Sequence, residues 1–565
     1  MRLEFRPGPW LVSTTGGASA AILGLALGGL TLGTLAPLVS LAGVTVGIGI
    51  GIAAARSSAH TADGEGRWST LEVAALAAFA AAAWCHFGRI VFERDGALLT
   101  PLPYNLGDLP LHWTYVQFLA GGAPFWPENP ILTGERLRYP LGVDLLTAAL
   151  VQLGAPLRLL LPAFGLGCSA LAALALHRWA RALAVAGFLF SGGLAGFELL
   201  WTARLEDYQA TLAWKNLFLA LFVPQRGLLL GLPAGLLVLW SERERLLRRG
   251  RGLPKWVAGL LWGALPMIHL HTFLLVSVVI AVWAVGAGAV RRASGPLLWA
   301  LAPAAFSVWE VTGGFGVASL IGWQPGWLSG PGGPIVSLLL NFGVFVPLAL
   351  VALAVAWRER RREELLLLGP SLALFAALWF FRLAPWAWDN TKVLLWCYLL
   401  ALPAVESMVL RRLPTLARGA AVFALLFSGA VSVLAASLGR GPRLEVLDLD
   451  EYGGVCGALA DVPRSERIAT APTFNHPVAL CGHPLVAGYA GHLWSHGHEA
   501  SEVQHRLSRL MRGAPGWREE ARRLRARLLF WGSRERVAYG DSLRPWEEST
   551  PVLAAGAWGV IYRLE

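Results

Sequence analysis

The sequence predicts an all-α polytopic membrane protein with a small soluble α/β domain at its C-terminal end. Of its 565 residues, 55% are hydrophobic and only 15% charged, with a mean hydropathy of +0.54 and 26 tryptophans. That usage lies far from a soluble globular chain. Apolar runs able to cross roughly 30 Å of hydrocarbon recur from about residue 16 to 437. Beyond about 440 they stop, and Arg, Glu, Asp and His become frequent.

A Gly-rich tract at about 16 to 55 is too long for a signal-peptide core and divides near Pro37 into two spans. The polar stretch Arg56 to Arg67 leads to a third span at about 69 to 92, which delivers the chain to a polar, Pro-rich loop at 93 to 144. The apolar piece at 140 to 154 is too short to cross and is expected to be interfacial or re-entrant. Further spans are expected at about 156–177, 182–201, 224–240, a pair within 256–290, and 296–313, then at 335–357, 365–383, 392–410 and 417–437.

Basic clusters at 241–255, Arg291 and Arg292, 358–364 and 411–418 share one side if 256–290 is a hairpin and 140–154 does not cross. By the positive-inside rule that side is cytoplasmic. The resulting parity gives about 13 crossings and places the N-terminus inside. It sends the loops at 93–144, 203–223, 314–334 and 382–391 and the tail outside, as expected for a bacterial inner membrane protein. Three domains follow: a two-helix hairpin with its linker (1–68), the main membrane domain (69–439) and an extracytoplasmic α/β domain (440–565). In the last, RIATAP, PVALCG, RVAYG and GVIYRL read as strands around an Arg-rich helical stretch at 501–529.

The net charge of +11 sits in arginine clusters between apolar runs, which suits anionic headgroups. No basic stripe with interleaved aromatics points to a nucleic-acid partner. Cys85, Cys168 and Cys397 lie in apolar segments as small buried hydrophobes, whereas Cys456 and Cys481 in the tail can pair in an oxidising compartment.

The loop at 93–144 carries Glu93, Asp95, Asp108, His112, Glu128, Arg136, Arg138 and Asp144 among many apolar and aromatic residues. That mixture predicts an ordered functional loop rather than a connector. In NLGDLPLH, Asp108 and His112 lie one helical turn apart, and Asp108 is either a helix cap, a base, or both. His269 and His271 in PMIHLHTF are either satisfied structural histidines or a pair facing a metal or a phosphate. Arg226 in VPQRG either clamps a phosphate or snorkels to headgroups. Asp389 and Lys392 in WAWDNTK are either an anion-binding helix start or a cap with an interfacial lysine. The tail histidines include His492 and His496, which share a face if their segment is helical. P-loop, G-x-S-x-G, H-E-x-x-H and C-x-x-C patterns are absent, so ATP hydrolysis and the common hydrolase chemistries have no support.

The run YNLGDLPLHWTYVQFLAGG, then PENPILTGERLRYPL, PQRGLLLGLP and HLHTF resembles bacterial membrane proteins grouped with the GT-C class of glycosyltransferases. These are integral enzymes that use polyprenyl-phosphate-linked sugars, and the resemblance spans roughly 70–437. It implies a loop carboxylate as catalytic base, matched best by Asp108, with Glu93 and Asp95 as rival positions. It implies inverting transfer to an extracytoplasmic lipid, glycan or protein acceptor, with Arg226 and Lys392 on the leaving phosphate. His112, Arg138, His269, His271 and Asp389 complete the expected substrate-binding set. The class usually has one span before this loop, where three are read here. The tail lacks the W-W-D-Y-G type signature of oligosaccharyltransferases, and no Asp-x-Asp pair announces a metal, so the metal requirement stays open. The alternatives are a transporter or lipid flippase, which predicts charges at mid-span and repeated halves, and a haem-handling protein, of whose longer Trp-rich motif WAWDNTK is only a fragment.

Overall fold

A computed structural model of the chain describes residues 7–59, 68–315, 321–330, 332–439 and 443–564. The boundary expected at 440 and parts of the 56–67 and 314–334 segments fall outside the described residues.

The membrane part is helical: α1 (Pro7–Leu32), α2 (Pro37–Ser57), α3 (Thr70–Phe87), α4 (Asn105–Ala120), α5 (Gly142–Gln152), α6 (Leu157–Leu189), α7 (Leu199–Thr202) and α8 (Arg226–Glu242). It continues with α9 (Lys255–Ile268), α10 (Leu270–Gly286), α11 (Val290–Thr312), α12 (Gly333–Phe342), α13 (Phe345–Arg358), α14 (Arg362–Ala377), α15 (Thr391–Met408) and α16 (Thr415–Ser437). Helices α1 and α2 form the expected hairpin. A Cβ on Gly17 would sit 2.8 Å from the Gly47 carbonyl oxygen, so the Gly-rich composition permits backbone-to-backbone packing.

Among the described residues, six helices are long and apolar enough to cross a membrane, or seven if the bent pair α12 and α13 counts as one span. The thirteen expected crossings exceed that number because several apolar runs are divided into short pieces. The run at 256–290 breaks at His269, whose backbone is extended (φ −156°, ψ 98°) between α9 and α10. The runs at 156–177 and 182–201 form one 33-residue helix, α6, broken at Ala180 and Arg181, and the chain leaves that helix at Phe190. This corrects the separate span expected up to 201. The 140–154 piece is α5, about 16 Å long at 1.5 Å per residue. It is buried against α1, α2, α4 and α8.

The loop and the tail are knitted together. Strands β1 (Phe92–Arg94) and β2 (Ala97–Thr100) form a hairpin, and β5 (Leu444–Asp448) from the start of the tail pairs antiparallel with β2. The two-residue ribbon of β3 (Gly322–Trp323) and β4 (Phe381–Arg382) joins two other loops. A four-stranded sheet in the tail has β6 (Arg467–Ala469) parallel to β7 (Ala526–Gly532), with β9 (Gly559–Arg563) and β8 (Val552–Gly556) antiparallel beyond it. The loop docks on this domain through backbone bonds from Thr133 to Val486, Leu485 to Pro130 and Gly488 to Ile131.

Two expected tail strands are helices. PVALCG contains α18 (Pro477–Leu480), begun by a proline at its first position and capped by His476. RVAYG belongs to α22 (Ser533–Ala538), where Glu535 bonds the Gly532 amide. The Arg-rich stretch ends earlier than expected, because ARLLFWG forms the buried strand β7. The tail also contains α17 (Leu449–Ala458), α19 (Ala490–Ser495), α20 (Ser501–Met511), α21 (Trp517–Arg523) and α23 (Trp546–Ser549). Cys456 and Cys481 form a disulfide between α17 and the end of α18.

Candidate active site

Helix α4 begins at Asn105 with Tyr104 at the cap position and no side-chain cap, so Asp108 stands inside the first turn and caps nothing. Among the described residues its carboxylate receives no hydrogen bond, and His112, Lys392 and Asp389 act on it through space. Burial raises its pKa above the ordinary aspartate range; His112 and Lys392 pull it back, and Asp389 pushes it up again. A half-buried carboxylate held without a donor is an acceptor in waiting.

One turn on, His112 is buried, with Nδ1 2.8 Å from Oδ2 of Asp144 in α5. The other Asp144 oxygen lies 3.3 Å from Nε of Arg226, an ion-pair distance without hydrogen-bond alignment. Arg226 Nη2 donates to Thr147 Oγ1 at 2.8 Å. Close backbone approach makes this arrangement possible. A Cβ on Gly142 would meet the Met267 carbonyl at 2.8 Å, and one on Gly227 the Ile268 carbonyl at 2.5 Å, so α5 and α8 both close on the α9–α10 break. Arg226 is therefore engaged by Asp144 behind the site and is not a free clamp for a phosphate.

At the same break His269 caps α10: its Nδ1 accepts from the Thr272 amide at 3.3 Å and lies 2.8 Å from the Thr272 hydroxyl. The His271 ring is 5.7 Å away. Lys392, in the first turn of α15, pairs with Asp389 at 3.1 Å. Asp389 does not cap α15; Asn390 holds the cap position and bonds the backbone of Leu383 and Phe381 instead. Lys392 exerts electrostatic influence on Asp108, His269, His271 and His496, which marks it as the cation around which these groups gather.

The structure thus brings Asp108, His112, His269, His271, Asp389 and Lys392 together, with Arg226 behind them. It separates the others. Glu93 pairs with Arg158 at 2.6 Å on the exposed strand β1. Asp95 (φ 51°) and Gly96 (φ 77°) form the left-handed turn of the β1–β2 hairpin, the conformation that Asp-Gly favours. Arg138 bonds Glu135 at 3.1 Å and His498 Nδ1 at 2.9 Å. A surface recess of about 440 Å³ lies on that side, lined by Glu128, Glu135, Arg136 and Arg525.

Tyr139 and Lys215 carried no motif in the sequence, whereas the tail histidines His492 and His496 were marked there by their spacing. Tyr139 lies 5.9 Å ring to ring from His112 and 4.8 Å from His496, and burial raises its phenol well above the usual range. His492 reaches the Gly107 backbone; burial brings its pKa down to about 4, the Gly107 contact opposes that, and His112 adds to it. His496 is driven well below the histidine range by burial first and then by His492, His498, Lys392 and His112, so both tail imidazoles are neutral near pH 7. Lys215 sits over the rings of Tyr104 (5.2 Å) and Trp388 (5.9 Å). A usable signal existed for the lysines: the chain has three among its 47 Lys and Arg, and Lys215 and Lys392 are two of them. Among the described residues no three His, Cys, Asp or Glu side chains form a metal-binding group.

No family model and no curated protein sequence matches this chain. Among solved structures, the chain is similar to the oligosaccharyltransferase of Archaeoglobus fulgidus, crystallised tethered by a disulfide to an acceptor peptide containing the NVT sequon. The TM-score is 0.41 at 12% identity, over 87% of this chain and 74% of that one. A likeness at this level does not assign a function, which has to come from the residues of the site.

Proposed function

We propose that this protein is a membrane glycosyltransferase that moves a sugar from a polyprenyl-phosphate-linked donor to an extracytoplasmic acceptor with inversion. The observation that carries this reading is the Asp108 carboxylate, without a hydrogen bond among the described residues, beside Lys392 and a group of histidines at the ends of apolar helices. A base for the acceptor hydroxyl and a cation for the departing lipid phosphate are the two groups that the reaction requires. Asp108 accepts the proton of the acceptor hydroxyl as the new C–O bond forms at the anomeric carbon. Lys392, steered by Asp389, stabilises the phosphate as it leaves with the bonding pair. The Cys456–Cys481 disulfide supports an oxidising, extracytoplasmic side for the tail, and therefore for the loop that is hydrogen-bonded to it. The sequence resemblance to the GT-C class points to the same donor chemistry.

The test is transfer of radiolabelled sugar from a panel of undecaprenyl-phosphate hexoses and pentoses, by purified protein in liposomes with cell-envelope extract as acceptor. Wild type is expected to transfer from at least one donor, Asp108→Asn from none, and Lys392→Ala with a raised donor KM. Transfer that survives in Asp108→Asn refutes the assignment of the base. Absence of transfer from every donor, with lipid flux in the same liposomes, replaces the reading with a flippase.

A further inference from the structure

Asp108 must give up the proton it takes before it can act again, and no group yet assigned receives it. The buried pair behind it has the chemistry to do so. The imidazole of His112 is fixed through Nδ1 on Asp144, whose charge is in turn fixed by Arg226 and, beyond it, Thr147. A hydrogen bond from Nδ1–H to a carboxylate leaves Nε2 as the acceptor nitrogen of a neutral ring. Among the described residues no hydrogen bond or ion pair engages that Nε2. His476, a buried histidine of the tail, does not stand this way: it uses both ring nitrogens, on Glu535 and on the Val478 amide.

Resting on the reading above, we propose that His112 and Asp144 form a proton relay for Asp108. The acceptor proton moves to the Asp108 carboxylate as the glycosidic bond forms. It then passes to His112 Nε2 across the single helical turn between the two residues, restoring the Asp108 carboxylate. The imidazolium is balanced by Asp144 until the proton leaves to water with the product, and no redox step or co-reactant is needed. The groups facing His112 are Asp108 on its own helix, Asp144 on α5, Tyr139 in the loop, and His492 and His496 in the tail, with Arg226 behind Asp144 and Lys392 beyond Asp108. The two tail imidazoles and Tyr139 are neutral near pH 7, and Asp108 and His112 stand one helical turn apart among them.

The test is the pH profile of kcat and of donor KM for wild type, Asp108→Asn, Asp144→Asn and His112→Asn. His112→Asn keeps an N–H for Asp144 but has no atom at the Nε2 position, so it removes the relay while preserving the buried bond. It is expected to lower kcat by about tenfold or more, to leave donor KM within about twofold, and to abolish the histidine limb of the profile. In Asp144→Asn, loss of the carboxylate disfavours the imidazolium, so the acid limb moves to lower pH. If that variant fails to fold because Arg226 is left without its counter-charge, His112→Asn decides alone. A His112→Asn profile that superimposes on wild type, or a loss confined to KM or to melting temperature, overturns the relay. With Asp108→Asn inactive, that result removes the relay and leaves the glycosyltransferase reading standing; a wild type without transfer removes both.

Discussion

Among the described residues, two buried histidine–carboxylate pairs, His112–Asp144 and His476–Glu535, have nearly equal length and opposite character. In the tail, His476 Nε2 lies 2.9 Å from Glu535 Oε1, and Glu535 also accepts from the amides of Ala471 (2.8 Å) and Gly532 (2.9 Å). In the loop, His112 lies 2.8 Å from Asp144, but among the described residues Asp144 Oδ1 has no aligned hydrogen bond and no bond engages His112 Nε2. A fully satisfied pair fixes a core, here the junction of β6, β7 and α22. A pair with an open nitrogen beside an unpartnered carboxylate retains capacity for a proton. The two pairs differ in satisfaction and not in burial or distance.

The largest expected effect is on Asp108. Asp108→Asn should reduce transfer by about a thousandfold or more, toward the upper range for a lost general base, as measured by radiolabelled transfer. The same change should raise Tm at neutral pH. A carboxyl with a raised folded-state pKa contributes stability below its unfolded pKa and loses it as pH rises through the folded one, and Asn never ionises.

Next comes the tail pair. Glu535→Ala strips a buried imidazole and two amides of their acceptor and should cost about 3–5 kcal/mol in denaturant or thermal unfolding. Where that variant is still folded, its transfer pH profile should match wild type, which would set His476–Glu535 apart from His112–Asp144. Folded Glu535 is held below the ordinary glutamate range, by its hydrogen bonds and His476 against the opposing effect of burial. Its contribution is therefore present above the unfolded pKa near 4.5 and is lost as pH falls through the lower folded value.

Cys456→Ser opens a bridge across a sequence separation of 25 and should destabilise the tail by about 3 kcal/mol, with transfer falling only as His492 and His496 lose their place. The smallest effects should come from Glu93→Gln and Asp95→Asn, on the exposed hairpin, with transfer rates within about twofold of wild type. A large loss in either would move the base away from Asp108.

The sequence determined much of the site because its chemistry is local in the chain. Asp108 and His112 are one turn apart, His269 and His271 flank one helix break, and Asp389 and Lys392 start one helix, so spacing alone grouped each pair. Composition likewise made the membrane helices and the soluble tail legible, since hydropathy is a property of each run taken separately. Tertiary structure decided what depends on closure between distant segments. It placed Asp144 on His112 across 32 residues and Arg226 behind it, and it brought His492 and His496 from the tail over the loop. It also divided runs that hydropathy treats as continuous, because a break such as the one at His269 is set by the helices packed around it. Glu93 and Asp95 stood as rivals to Asp108 in a linear reading. A carboxylate becomes a base through the partners it lacks, and which partners a side chain lacks is known only once the chain has folded.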